Sequence, residues 1–201
     1  MRRLALVAAL VVLVVPAIAF ADGDPASDYL LVQSAFLPFD AHVDRSSAVE
    51  LNTLLVASKK AGFPLRVAVI SSKVDLGAVP ILFGRPQTYA KFLGQELFYW
   101  YKHELLVVMP NGYGVYDHGV VPAKDRAALE KLPVPHTTAG TPLVQAAITA
   151  ARALADAHAV SLPHTSNTST SSSGPNWTLV AGGVAAAIVL VGGLIFVQRR
   201  R

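Results

Sequence analysis

The sequence predicts an α/β fold: a single, three-layer-like domain in which a small mixed sheet is flanked by helices. Two apolar runs rich in β-branched residues, 65–70 and 105–109, are typical of buried strands. A helical pattern at 86–99 separates them, and two strands joined through a helix form a right-handed parallel crossover. Asn111-Gly112 then indicates a tight hairpin, which adds an antiparallel strand at one edge of the sheet.

The elements before the first buried strand follow from apolar spacing and from helix-end signals. Residues 29–36 form a mostly apolar run that suits a first strand or an extended lead-in. A helix begins near Ser46 or Ser47, since either serine is a suitable N-cap. It ends after the lysines at 59–60, with Gly62 as the stop signal. The apolar face of this helix consists of Leu51, Leu54 and Leu55.

The second half of the domain continues with a hairpin strand and two helices. Residues 113–116 form the second strand of the hairpin, and a short helix follows at 123–132. The last helix takes Thr141 as its N-cap and Pro142 as its first residue, and it ends near His158. The predicted order is therefore β-α-β-α-β-β-α-α. The residues expected to cover the sheet are Tyr89, Phe92, Leu93, Leu97 and Trp100 in the helix at 86–99, and Leu143, Ala147, Ala151 and Leu154 in the last helix.

The first 21 residues have the pattern of a secretory signal peptide. Two arginines precede an apolar run at 4–15, and Pro16 is followed by small residues at Ala19 and Ala21. We predict cleavage after Ala21, which would export the domain at 22–160. The alternative is an uncleaved N-terminal anchor, since this segment is just long enough to span a bilayer.

The other end of the chain predicts a single-pass membrane anchor. Residues 177–197 are uncharged, and about 21 helical residues at 1.5 Å each span the hydrocarbon core. The basic tail at 198–201 is expected to stay cytoplasmic, so the domain is predicted to lie on the extracytoplasmic side of the cell membrane. Residues 161–176 are rich in Ser, Thr, Asn and Pro and form the predicted linker.

The linker contains one further motif, Leu162-Pro163-His164-Thr165-Ser166, which is similar to a cell-wall sorting signal of the LPxTG type. Ser166 stands where that signal has glycine, and a polar stretch separates the motif from the span. We therefore predict a plain membrane anchor, with wall attachment as the alternative.

Charge and cysteine content exclude several classes of function. Five of the 17 basic residues lie in the two ends, which leaves 12 to balance 13 acidic residues. The near-neutral domain has no basic footprint for nucleic acid. The absence of cysteine excludes disulfides, thiol nucleophiles and thiolate metal sites, and the domain must be held by its core alone.

Several segments together resemble the TPM superfamily of membrane-tethered extracytoplasmic α/β domains. They are Asp28-Tyr29-Leu30, Lys60-Ala61-Gly62-Phe63-Pro64 with the strand that follows, and the strand at 105–109 with Asn111-Gly112-Tyr113-Gly114. The segments Asp75-Leu76-Gly77, Pro86-Gln87-Thr88-Tyr89-Ala90 and 92–97 resemble a family of uncharacterised actinobacterial exported proteins. The resemblance implies one of three roles: an accessory factor for membrane complexes, a calcium-binding domain or an acid phosphatase. The chain lacks the dense aspartate cluster that the last two would use.

Five residues form the candidate metal site. Asp40, His42 and Asp44 alternate along an extended segment, so their side chains are expected to project from one face. Asp117 and His118, which follow the hairpin strand, are expected to complete the site from the same rim with oxygen and nitrogen ligands. The alternative is a polar loop in which Asp44 merely favours the start of a helix. The sequence thus favours no cofactor, with a divalent cation such as calcium as the alternative.

Evidence for catalysis in the sequence is sparse. His103 with Glu104 is a possible acid and base pair beside the aromatic run at 98–101, and Asp75 is a possible catalytic carboxylate after the best strand. Each has a plain structural alternative, in a turn or a helix cap, and no nucleophile elbow, zinc-protease or phosphate-loop motif is present.

The sequence therefore favours an accessory or interaction module of the cell envelope over an enzyme, with an envelope protein as partner and the oligomeric state left open. The alternatives are a metal-dependent TPM-type phosphatase and a domain that binds a small ligand or a cell-wall fragment.

Overall fold

The computed structural model describes residues 23–163, which form an α/β domain with a four-stranded mixed sheet in the order β1-β2-β3-β4. The strands are Ala35–Phe36 (β1), Leu65–Val69 (β2), Glu104–Met109 (β3) and Gly112–Asp117 (β4). The α-helices are Pro25–Val32 (α1), Arg45–Lys60 (α2), Pro86–Glu96 (α3), Ala123–Leu129 (α4) and Gly140–Ala157 (α5). Short 3-10 turns at Val74–Leu76 and Pro80–Leu82 link β2 to α3. The predicted fold class, with its parallel crossover and antiparallel hairpin, is confirmed for this part of the chain.

Strand directions give the sheet two different edges. β1, β2 and β3 run parallel, and β4 runs antiparallel to β3. The edge where the parallel strands begin carries Leu65 and Glu104, together with the last residue of β4, Asp117. We call this the amino edge. The opposite, carboxyl edge carries the loops that leave β1, β2 and β3.

Helices cover both faces of the sheet, because strand side chains alternate between two cores. Along β3, Leu106 and Val108 face a core built with α2 and α5, whereas Leu105, Val107 and Met109 face a core built with α1 and α3. The predicted sheet-facing residues of the last helix are all buried: Leu143, Ala147, Ala151 and Leu154. The structure therefore has three layers.

The N-terminal segment differs from its prediction. Much of the run expected to be extended is the helix α1, and only Ala35 and Phe36 form a strand. Pro25 opens the helix at a position that proline favours, and Ala26 and Leu30, four residues apart, fill the core against α3. A helix brings these two side chains within about 6 Å of each other, so both reach the same part of the core, whereas an extended strand would hold them about 13 Å apart.

Other predicted helix ends also shift. The last helix begins at Gly140 rather than at Pro142, and the helix predicted at 123–132 ends at Leu129. α3 ends at Glu96, so Trp100 does not pack on the sheet and is 78% exposed. α2 begins at Arg45 without a side-chain cap, and the Ser47 hydroxyl instead accepts a hydrogen bond from Gln145 on α5 at 3.0 Å. A contact with α5, which the local sequence does not encode, thus engages one of the two serines predicted to cap α2.

Within residues 23–163, none of the helices has the length and apolar character needed to cross a bilayer. The predicted signal peptide at 1–21, the span at 177–197 and the tail at 198–201 lie outside the described residues, as does most of the linker. The first part of the linker is described: Leu162 is buried in the core beside α5, and the Pro163 carbonyl accepts a hydrogen bond from Arg152.

Candidate functional site

Three polar side chains from three different elements meet at the amino edge of the sheet. Glu104 is the first residue of β3, Asp125 lies in the first turn of α4, and His158 directly follows α5. Each offers a ligand atom, and the three atoms lie within 4.8 Å of one another. We call these residues the acid–histidine cluster.

The hairpin and its following turn bring the cluster together. Asp117 pairs with Glu104 across the two strands, so β4 ends beside the start of β3. A tight turn closed by Asp117 and Val120 then directs the chain into α4. As a result, Asp125 lies next to Glu104 although 21 positions separate them in the sequence.

Hydrogen bonds fix the histidine of the cluster. His158 Nε2 lies 2.8 Å from Asp125 Oδ1, and His158 Nδ1 lies 3.0 Å from Lys124 Nζ. Because a lysine ammonium only donates, Nδ1 accepts, and Nε2 carries the proton that it donates to Asp125. The imidazole also lies over the Phe63 ring, at 4.6 Å between centroids. These contacts hold the ring in one orientation.

Two carboxylate oxygens of the cluster are buried without a hydrogen-bond partner, Glu104 Oε1 and Asp125 Oδ2. Glu104 is 3% exposed and Asp125 is fully buried. Burial, with the nearby charges of Asp125 and Asp117, raises the pKa of Glu104 to about 8. Glu104 is therefore protonated at neutral pH when no cation is bound, and its charged form is disfavoured by its surroundings.

Replacing Glu104 with Gln is expected to flatten the pH dependence of stability in the presence of EDTA. The pKa is about 8 in the folded state against 4.5 for the free side chain, so the folded state holds a proton that the unfolded state releases. The free energy of unfolding of the natural protein therefore falls as pH rises from about 5 to 8, by up to about 1.4 kcal/mol per pH unit. Because water in the cleft screens Glu104, we expect a total fall of about 2 kcal/mol. Urea unfolding at pH 5 and pH 8 checks this, with exposed Glu130→Gln as the control. Equal pH slopes for the natural protein and Glu104→Gln would contradict the raised pKa.

The cluster is open to solvent through a small cleft of about 180 Å³. Its walls are Gly62, Phe63, Pro64, His103, Glu104, Asp117 and His158. Small ions and water therefore have a path to Glu104 and His158, next to which Asp125 is buried.

A larger pocket of about 500 Å³ shares part of this wall. It contains Arg66 and Lys59, and His103 lines both cavities. The Arg66 guanidinium stacks on the Tyr101 ring at 4.1 Å, and its Nη1 is buried without a hydrogen-bond partner. A positive, planar donor group held in this way suits a carboxylate or phosphate group.

The five residues predicted to bind metal are divided between the two edges of the sheet. Asp40, His42 and Asp44 follow β1 at the carboxyl edge, where exposed His42 Nε2 lies 3.3 Å from Asp44 Oδ1. Asp117 lies at the amino edge, opposite Glu104, and His118 follows it. The expectation that all five share one rim is therefore not met, because an antiparallel β4 carries its last residues away from the end of β1.

The residues that the sequence offers for catalysis, Asp75, His103 and Glu104, lie in two different environments. The Asp75 carboxylate is fully buried and accepts hydrogen bonds from the backbone N–H groups of Phe39, Ser71 and Ser72 and from the Ser71 hydroxyl. Because both carboxylate oxygens accept hydrogen bonds from the protein, Asp75 has the structural role in a turn that the sequence offers as the alternative to catalysis. Glu104 belongs to the acid–histidine cluster, and exposed His103 lines its cleft. Sequence reasoning missed Asp125 and His158, since neither stands in a recognisable motif.

A second feature lies near the amino edge, where the chain leaves α3. Phe98, Tyr99 and Trp100 follow each other in a turn, and the His118 ring stacks on Phe98 at 4.9 Å between centroids. Tyr99 is 84% exposed and Trp100 is 78% exposed. We call these four residues the aromatic surface.

The chain matches no protein-family model, no curated protein and no solved structure.

Proposed function

We propose that this chain is an accessory or interaction module of the cell envelope, anchored in the membrane by its C-terminal span, which binds a partner protein through the aromatic surface. The observation that carries the proposal is the exposure of Tyr99 and Trp100, which stand side by side. The resemblance to the TPM superfamily, some members of which serve membrane complexes, is consistent with this role and belongs to the same proposal.

The chemistry of the aromatic surface suits protein recognition. Tyrosine and tryptophan are enriched at the centres of protein interfaces, because each removes a large apolar area from water and keeps a polar group for hydrogen bonding. Exposing two such rings in sequence is costly, and within residues 23–163 Tyr99 and Trp100 are the two most exposed aromatic side chains. A partner that covers them removes this cost.

The aromatic surface is also held in shape before any partner binds. The Trp100 and Tyr101 N–H groups both donate to the Leu97 carbonyl, at 2.9 and 2.8 Å. Leu97 is buried, and the Tyr101 hydroxyl lies within hydrogen-bond distance of both the Pro64 and the Glu104 carbonyls, between which it shares its one proton, so the turn is fixed at both ends. A surface that is already ordered loses little conformational entropy on binding.

The predicted linker limits where the partner lies. Leu162 and Pro163 are held against the domain, so the predicted linker that remains, residues 164–176, reaches about 43 Å from the bilayer when extended at roughly 3.3 Å per residue. The predicted signal peptide places the domain outside the cytoplasm. The expected partner is therefore an envelope protein that presents an apolar pocket within this distance of the membrane.

Site-directed photo-crosslinking in native membranes tests the proposal. A benzophenone amino acid that replaces Tyr99 in the full-length chain is expected to yield a protein adduct of one defined size, because position 99 lies in the interface. The matched control replaces Val56, which is 52% exposed on α2 in the other helical layer, and is expected to yield no such adduct. Adding Trp100→Ala to the Tyr99 probe is expected to reduce the adduct about tenfold or more, as for an interface hot spot.

Four results would overturn the proposal. Adducts with lipid alone would show that the aromatic surface contacts the bilayer. Equal adducts from positions 99 and 56 would show contact without specificity. The absence of any adduct would show that position 99 contacts no partner. Turnover of a generic phosphomonoester by the purified chain would favour the phosphatase alternative instead.

A further inference from the structure

We propose that Glu104, Asp125 and His158 bind one divalent transition-metal cation, of which Zn²⁺ is the best match. Their ligand atoms lie within 4.8 Å of one another, a spacing that one ion bridges with small side-chain movements. The site is separate from the aromatic surface, and it is not the Asp40, His42 and Asp44 set that the sequence predicts.

The unpartnered carboxylate oxygens point to a ligand independently of the clustering. Buried polar atoms are nearly always hydrogen-bonded, yet Glu104 Oε1 and Asp125 Oδ2 are both buried without a partner in the described part of the chain. Two buried carboxylates side by side repel each other when charged. One cation between them satisfies both oxygens and removes the repulsion.

The donor set selects the class of metal. One imidazole with two carboxylates suits Zn²⁺ or Mn²⁺, whereas Ca²⁺ takes six to eight oxygen ligands and rarely nitrogen. Three protein ligands leave a further position for water, which the cleft supplies. Asp117 lines the same cleft and adds negative charge at its entrance. The preference for Zn²⁺ follows from the imidazole.

The surroundings of His158 also favour a cation. It follows the last turn of α5, where the aligned peptide dipoles give the helix end partial negative charge. The ring is held by the stacking contact with Phe63, so little reorganisation is needed. Two contacts give way to the ion. The Lys124 ammonium lies 3.0 Å from His158 Nδ1, but its side chain is exposed and turns readily to water. The proton that His158 Nε2 shares with Asp125 is released when a cation takes its place between the two side chains.

Titration of the full-length chain, purified in mild detergent and stripped with EDTA, tests the site. We expect calorimetry to show one Zn²⁺ per chain with a dissociation constant of about 1 µM or lower, Mn²⁺ weaker and Ca²⁺ weaker still. Saturating Zn²⁺ is expected to raise the melting temperature by about 5 °C or more, because the ion binds only the folded state. Co²⁺ in place of Zn²⁺ is expected to give the visible absorption of a four- or five-coordinate ion.

Variants assign the binding to these residues. Asp125→Asn and His158→Gln are each expected to weaken Zn²⁺ binding at least about tenfold. Lys124→Gln is expected to tighten it several-fold, because it removes a positive charge and the competing contact with His158. This variant leaves the core untouched and so tests the site even if the other two fold poorly. His42→Asn and Asp44→Asn are the controls, and both are expected to bind as the natural protein does.

Three outcomes overturn the proposal. The first is no stoichiometric Zn²⁺ binding by the natural chain, which would mean that a shared proton between Glu104 and Asp125 satisfies the cluster. The second is Zn²⁺ binding that Lys124→Gln does not tighten. The third is binding that is lost in His42→Asn or Asp44→Asn, which would place the metal at the carboxyl edge instead.

Discussion

Asp75→Asn is expected to lower the free energy of unfolding by about 3 to 5 kcal/mol, because it disrupts a buried charge that accepts four hydrogen bonds. Asp75 Oδ2 accepts from the Ser71 N–H at 2.8 Å, the Ser71 hydroxyl at 2.9 Å and the Ser72 N–H at 3.0 Å. Asp75 Oδ1 accepts from the Phe39 N–H at 2.9 Å. An asparagine side chain has only one oxygen, so its NH₂ group must face a backbone N–H where the aspartate has its second oxygen. Two donors then face each other, and neither has an acceptor.

The loss extends beyond one turn, since Asp75 connects the loop after β1 to the loop after β2. Phe39 belongs to the first loop and Ser71 to the second, so the carboxylate holds the carboxyl edge together. Chemical unfolding at pH 7 measures the effect. Asp40→Asn is the control, because Asp40 is exposed in the same loop, and we expect a change below about 0.5 kcal/mol. A near-neutral Asp75→Asn would show that this carboxylate is not structural and would reopen its catalytic interpretation.

Gly94→Ala is expected to destabilise the domain by about 3 kcal/mol, although alanine is favoured over glycine by about 1 kcal/mol inside an exposed helix. Gly94 lies in α3, where the helix packs directly on β4. A Cβ at this position would overlap the Tyr116 ring, whose Cγ would lie only 2.9 Å away. Tyr116 is buried, so its ring has no room to withdraw, and the helix must move off the sheet.

A double-mutant cycle separates this contact from other effects of the substitution. Tyr116→Leu removes the ring at its own cost, and Gly94→Ala in that background is expected to be nearly neutral or slightly stabilising. The coupling energy from urea unfolding is therefore expected to be about 2 to 3 kcal/mol, at the upper end for residues in contact. Additive effects of the two substitutions would show that the helix and strand are not in contact at Gly94.

Local pattern was sufficient for most of the sheet and for the long helices. The strand at Glu104–Met109, the hairpin after it and the apolar face of α5 depend on residue spacing within a few turns, so their sequence signals are direct. α1 was missed because its eight residues are mostly apolar, and a short apolar run fits a strand as well as a helix. Contact with α3, through Leu30 in the shared core, decides between them.

The residues of the candidate sites show the opposite balance. Asp40, His42 and Asp44 are neighbours in sequence and look like a ligand set, whereas Asp125 and His158 lie 33 positions apart and stand in no motif. The sequence points to Glu104 through its neighbour His103, but the pKa of Glu104 is raised by burial and then by the charges of Asp125 on α4 and Asp117 on β4.

The sequence by itself determined the class of fold, the cysteine-free core, the near-neutral charge of the domain and the expectation of a membrane-anchored, exported chain. Tertiary structure alone decided which polar groups meet. Direct pairing of β4 with β3 places Asp117 beside Glu104, and the end of α5 then brings His158 to Asp125. The physical reason is that strand and helix patterns depend on neighbours in the chain. A binding site depends instead on which ends of strands and helices are brought to the same edge when the layers pack.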